Sequence, residues 1–188
     1  MASQGPLSPT SAVDDASIGT VAWTNPGNVL ASDDARAEAS LLEGENSHYL
    51  TTGGYGFAIP GGATIDGIKV ELEESQQQAT GTFSTAPQIQ ILKAGVWVGD
   101  VENWIVTGTV ADSYRTFGGP TSLWGTTWTP ANINHSGFGV RWFTGERAAT
   151  SGTGTYRVDH VRITVYYTGG DGFGPLLAQR RNRLVRAG

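Results

Sequence analysis

The 188-residue sequence predicts an all-β fold, an antiparallel β-sandwich in a single domain. Three observations predict it. Glycine is abundant, at 27 residues, while only 15% of residues are charged, which suits short strands and tight turns better than helices with charged outer faces. Apolar and polar residues alternate in several short runs, the period of a strand with one buried face. Breaks rich in Gly, Pro and Asn separate those runs. The length supplies one sizeable core and leaves little for a second domain.

Residues 1–19, rich in Ser, Pro, Gly and Asp and without a period, read as an extended N-terminal arm. Trp23-Thr24-Asn25-Pro26-Gly27-Asn28 is turn chemistry, since proline fixes φ and Gly and Asn tolerate positive φ. Residues 35–42 and 47–52 read as two strands around the polar turn 43–46, and Pro60-Gly61-Gly62 is a strong break. Ile68, Val70 and Leu72 alternate strictly with Lys69, Glu71 and Glu73. Ile65 lies one residue out of that phase, so a bulge is expected at Gly67. Residues 75–87, rich in Gln, Thr and Ser, read as a long exposed loop.

Gln88–Leu92 and Val96–Val98 flank Lys93-Ala94-Gly95 as a hairpin, and Trp104-Ile105-Val106 reads as a further strand. Residues 111–132 read as irregular, and Ala131–Asn134 as a single helical turn. Phe138, Val140 and Trp142 alternate with Gly139, Arg141 and Phe143. The run with Val161, Ile163, Val165 and Tyr167 on one face and His160, Arg162, Thr164 and Tyr166 on the other is the clearest strand, ended by Gly169-Gly170. The predicted core is Ile68, Val70, Leu72, Ile89, Ile91, Phe138, Val140, Trp142, Val161, Ile163 and Val165. The domain is thus expected over 20–168, between the arm at 1–19 and a short tail at 169–188.

Residues 172–188 carry Arg180, Arg181, Arg183 and Arg186 and no acid, which leaves the rest of the chain at −9 against a total of −5. A basic tail on an acidic body is expected to seek an acidic surface. Leu176 and Leu177 lie about two turns from Leu184 and Val185, so a short helix would group them on one face. Leu176, Leu177, Arg180, Arg181, Arg183, Leu184 and Arg186 are therefore candidate partner-binding residues.

Several chemistries find no residues. Without cysteine there is no disulfide, thiol nucleophile or cysteine-ligated zinc. The N-terminus lacks a basic stretch followed by an apolar run, so neither a signal peptide nor a membrane span is expected. His48, His135 and His160 stand at no metal-ligand spacing. No Gly-x-Ser-x-Gly occurs, and Asp159 and His160, adjacent in a strand, are expected to point to opposite faces. Asp14-Asp15, Asp33-Asp34 and Glu73-Glu74 are sequence neighbours and do not face each other across a cleft as glycosidase carboxyls do. Asp33-Asp34 sits in a loop but lacks EF-hand spacing. Neither phosphate-loop pattern occurs, and the acidic body disfavours nucleic acid. The expectation is a non-enzymatic protein with no metal or cofactor.

Aromatic residues are the remaining candidates. Trp142 is in phase with the core. Trp124 and Trp128 lie in turn-rich sequence, where they either fill the core or, with Tyr114, are candidate ligand or interface aromatics, because such rings stack on sugars and anchor protein contacts.

Trp23–Asn28, Tyr55–Pro60, Ile65–Val70, Leu123-Trp124-Gly125, Phe138-Gly139-Val140 and Val158–Tyr167 together resemble a group of β-rich virion structural proteins of tailed bacteriophages. The resemblance covers about residues 20–168, through turns and strands, and carries no catalytic residue. It implies a jelly-roll-like module on a virion, as an exterior capsid decoration or a neck, tail or fibre component. The implied protein is a homo-oligomer attached to other virion proteins through its termini. A carbohydrate-binding or host-adhesion module that takes a host glycan is the alternative. Deleting 172–188 is expected to leave a folded domain that no longer enters particles; normal incorporation of the truncated chain would sink the role of the tail.

Overall fold

The structure is a computed structural model and describes residues 1–146 and 152–170. The tail residues Leu176, Leu177, Arg180, Arg181, Arg183, Leu184 and Arg186 lie outside the described residues. Twelve strands follow in order: β1 (Ala2–Leu7), β2 (Ser11–Asp15), β3 (Ala37–Leu41), β4 (Tyr49–Gly53), β5 (Ala63–Thr80), β6 (Ser84–Thr85), β7 (Gln88–Lys93), β8 (Val96–Asn103), β9 (Val106–Thr107), β10 (Val110–Gly118), β11 (Gly139–Phe143) and β12 (Thr153–Gly169). Among the described residues the helical pieces are a 3-10 turn at Pro26–Val29 and one α turn, α1 (Pro130–Ile133). Thr129 and Asn132 cap α1 reciprocally. No helix of the described residues is long and apolar enough to cross a membrane.

The strands form two antiparallel sheets. In the first, β12 pairs with β5 and β5 with β10, while β1 and β3 share the other edge of β12. The second has the order β2-β4-β11-β7-β8. A small ribbon of β6 and β9 lies apart. The chain changes sheet at nearly every connection, which gives an all-β, jelly-roll-like sandwich. Apolar side chains from the facing sides of both sheets fill one continuous core. Every residue predicted for that core is 0–1% exposed.

Five segments differ from the sequence reading. Residues 1–19 are not a free arm. β1 adds to the first sheet beside β12 and β2 to the second beside β4, so this segment links the two sheets. Both are edge strands without a buried side chain, so no apolar alternation marks them. β3 and β4 do not pair around the turn at 43–46; they enter different sheets. β5 runs on to Thr80 through what reads as a loop, because Glu74 and Gln76 point inward and find buried partners there. β10 occupies much of the stretch that reads as irregular. Trp104 and Ile105 lie between strands, and only Val106 belongs to one.

Glu74, 2% exposed, accepts hydrogen bonds from the Trp104 indole (2.9 Å), Arg115 Nε (2.5 Å) and the Tyr156 hydroxyl. A buried carboxylate with such donors is tolerated where an unpaired one would be costly. Gln76 donates to the Gly108 carbonyl and accepts from the Thr85 hydroxyl, which holds the β6–β9 ribbon onto the end of β5.

The β7–β8 hairpin turns on Ala94 and Gly95 at φ 51° and 82°, as a two-residue turn of right-twisting strands requires. The register of β5 slips at Asp66–Gly67, the bulge expected there. Ile163→Ala is expected to cost about 2–5 kcal/mol in urea unfolding, because it leaves a cavity between two packed sheets. Leu42→Ser, at a position 58% exposed, is expected to stay within about 0.5 kcal/mol.

Candidate ligand-binding face

The outer surface of the second sheet is built by strand alternation. On β7 and β11 the residues that alternate with Ile89, Ile91, Val140 and Trp142 turn outward, and the register lines them up across five strands. One row reads Asp15, Tyr49, Phe143, Gln88 and Asn103. The next reads Val13, Thr51, Arg141, Gln90 and Val101, and the third includes Leu92 and Trp97.

Two rings flank one guanidinium on this face, and a third packs against one of them. Arg141 lies 4.0 Å from the Tyr49 ring centre and 5.8 Å from that of Trp97, and its Nε donates to Gln90 Oε1 at 2.8 Å. Phe143 meets Tyr49 edge to face at 5.4 Å. Trp97 is 48% exposed and Val101 37%, and both lie on the outer side as register partners of Leu92 and Gln90 of β7. The Gly99 backbone, at φ 69°, lets the loop that carries Trp124 dock against β8 through Asp100 N–H and the Trp124 carbonyl. Gln88, Gln90 and Asn103 add amides to the same face.

The sequence candidates lie elsewhere. Trp124 and Trp128 are 3% and 8% exposed, so neither offers a ring face to a ligand. Trp124 Nε1 donates to the Ile68 carbonyl and Trp128 Nε1 to the Leu123 carbonyl, which lets both indoles enter the core with their polar edge satisfied. Of the two roles open to them in the sequence, core filling is the one they take, because the 119–129 loop closes over the core. Tyr114 is half-buried on the outer side of the first sheet, far from the aromatic face by topology. Arg162 covers its ring at 3.9 Å.

Tyr114 belongs to a second, self-contained polar network. His160 is 7% exposed; Ser8 Oγ lies 2.8 Å from its Nε2 and Tyr114 Oη 2.8 Å from its Nδ1. Asp159 is the extra residue of a bulge between Val158 and His160. It is therefore not turned to the opposite face in simple alternation. It is buried and accepts the Asp34 N–H at 3.3 Å. Burial raises the Asp159 carboxyl above its ordinary range, against the lowering effect of the Asp34 and Asp33 backbone hydrogen bonds. Burial lowers His160, more than the neighbouring Glu73 raises it. His48 pairs with Asp14 at 2.8 Å, and His135 accepts the Gly137 N–H. Glu73 and Glu74 point to opposite sides of β5. Among the described residues no three His, Asp or Glu side chains are grouped to hold a metal ion.

No family model matches the chain. No curated protein matches it either. Among solved structures it is similar to TmCBM61 in complex with β-1,4-galactotriose, at 12% identity over 81% of this chain and 86% of that one, with a TM-score of 0.37. A non-crystalline cellulose specific carbohydrate-binding module, CBM28, aligns at 12% identity over 87% and 97%, with a TM-score of 0.38. The enzymatically active domain of bacteriophage CBA120 tailspike protein 4 aligns at 13% identity and a TM-score of 0.39, over 84% of this chain and 19% of that one. Likenesses this weak assign no family and no ligand, so the site rests on its own residues.

His160 sets a pH dependence. Its folded pKa lies below the ordinary value of 6.5, so the unfolded chain binds the proton more readily and stability falls as pH drops through 6.5. Urea unfolding between pH 7.5 and about 5.5 is expected to show a loss of stability that is reduced in His160→Gln. An unchanged slope in that variant would remove His160 as its source.

Proposed function

We propose that this chain is a carbohydrate-binding module that takes a neutral oligosaccharide on the outer face of β2-β4-β11-β7-β8. The observation that carries the proposal is the Tyr49–Arg141–Trp97 group, set among Gln88, Gln90 and Asn103 on one side of one sheet. Sugars need both parts of it: apolar ring faces to cover their C–H surfaces, and fixed amide and guanidinium groups for their hydroxyls. From β4 to β8 the face crosses three strand spacings, about 14 Å, which suits a run of linked sugars. Arg141 already holds its stacked position through Gln90, so little side-chain freedom is lost on binding.

The reading takes the chain as non-catalytic and compatible with a place on a virion exterior, as the sequence resemblance implies. Attachment to other virion proteins would then fall to the C-terminal residues, since residues 2–7 and 11–15 are zipped into this protein's own sheets.

A glycan array probed with the full chain is expected to show binding to at least one class of neutral oligosaccharide. Trp97→Ala is expected to weaken that binding about tenfold or more, at unchanged stability. Absence of binding by the folded protein, or equal binding by Trp97→Ala and Tyr49→Ala, would refute the proposal.

A further inference from the structure

On the outer side of the first sheet, the register sets His160 of β12 opposite Glu73 of β5, and Glu73 opposite Tyr114 of β10. The Tyr114 side chain reaches across the middle strand, so that its hydroxyl lies 2.8 Å from His160 Nδ1. On the far side of the imidazole, Nε2 lies 2.8 Å from Ser8 Oγ. His160 is 7% exposed, whereas Ser8 is open to solvent. A hydroxyl within hydrogen-bond reach of a histidine, with a third group orienting that histidine from its other nitrogen, is the arrangement of an activated nucleophile.

The neighbouring charges set the direction of each proton. Burial and the adjacent Glu73 carboxylate, against a hydrogen bond from Ser32, hold the Tyr114 proton on its hydroxyl and raise its pKa above the ordinary value. That hydroxyl donates to Glu73, so its oxygen is left to accept the Nδ1–H of His160. Nε2 is then bare and accepts the Ser8 hydroxyl proton. Burial lowers His160 more than Glu73 and Asp33 raise it, so the imidazole is a neutral base at pH 7.

The backbone holds Ser8 against this base. Leu7 is the register partner of Ile163, and the Thr10 N–H donates to the Gly53 carbonyl at 3.1 Å. Pro6 and Pro9 fix φ on either side. Ser8 Oγ therefore has little chain freedom to lose when it reacts.

We propose that Ser8 is an activated nucleophile, with His160 as its base, that accepts an acyl group from an unhindered ester with a good leaving group. Ser8 Oγ bonds to the ester carbonyl carbon as its proton passes to His160 Nε2. The C–O bond to the leaving group then breaks, and the proton goes from Nε2 to the departing oxygen or, where a stable phenolate departs, to water. One acyl group is carried per chain. The leaving group, rather than a pocket, selects the ester, because Ser8 is exposed. Sugar binding on the second sheet has no part in this step and can fail or hold without it.

The test is p-nitrophenyl acetate added to the full chain at neutral pH, with the acetylated residues located by peptide mass mapping. Ser8 is expected to gain an acetyl group at least about a hundredfold faster than the exposed Ser3 and Ser17 of the same chain, the scale of general-base assistance. Ser8→Ala, at an exposed position, is expected to abolish the fast release of p-nitrophenolate with the circular dichroism unchanged. His160→Gln is expected to bring Ser8 down to the rate of Ser3 and Ser17. Acetylation of Ser8 no faster than that of Ser3 and Ser17 would overturn the proposal, as would an undiminished rate in folded His160→Gln. Acetyl groups found only on lysines or on the N-terminus would overturn it as well.

Discussion

The pairing of β5 with β12 is the constraint on which the rest depends. These two strands, of 18 and 17 residues, run antiparallel from Ala63 opposite Gly169 to Thr80 opposite Thr153. Every other strand of the first sheet attaches to one of them. Because side chains alternate, a single slip in such a ladder would exchange core and surface along the whole strand. The bulge at Asp159 absorbs one residue and keeps both Val158 and Val161 inside. The slip at Asp66–Gly67 does the same on β5. Gly67 has a further role there, since a Cβ would lie 2.3 Å from the Gly119 carbonyl oxygen and 2.5 Å from that of Pro120. The loop that buries Trp124 closes only because that position has no side chain.

The two outer surfaces spend their polar groups differently. On the first sheet Glu71 pairs with Arg162 and Lys69, Tyr114 and Ser8 with His160, and Arg36 with Asp112. Burial opposes ionisation of Glu71, yet the hydrogen bonds from Arg162 and Lys69 outweigh it and hold the carboxyl below its usual range. Side chains in such pairs are committed to one another. The outer face of the second sheet instead carries the exposed Trp97 and Val101 beside the Arg141–Gln90 pair.

Much of the sandwich was legible in the sequence. The alternation around Val70 and Ile163, the hairpin at Ala94-Gly95 and the bulge at Gly67 follow from local rules, because a half-buried strand imposes a two-residue period on its own residues. The candidate face was legible only in fragments. Alternation set Arg141 and Phe143 opposite Trp142, but Tyr49 and Trp97 come from strands that the sequence does not pair with β11.

The sequence by itself therefore determined the fold class, eleven residues of the core and the direction in which each clear strand faces. Only the tertiary structure decided which strands are neighbours, that Trp124 and Trp128 are buried, and that residues 2–15 belong to the sheets. Pairing between strands rests on contacts far apart in the chain and on backbone hydrogen bonds that any residue but proline can make. Edge strands such as β1 and β2 bury too little to need a pattern, and an indole in a turn is buried or exposed according to what folds over it.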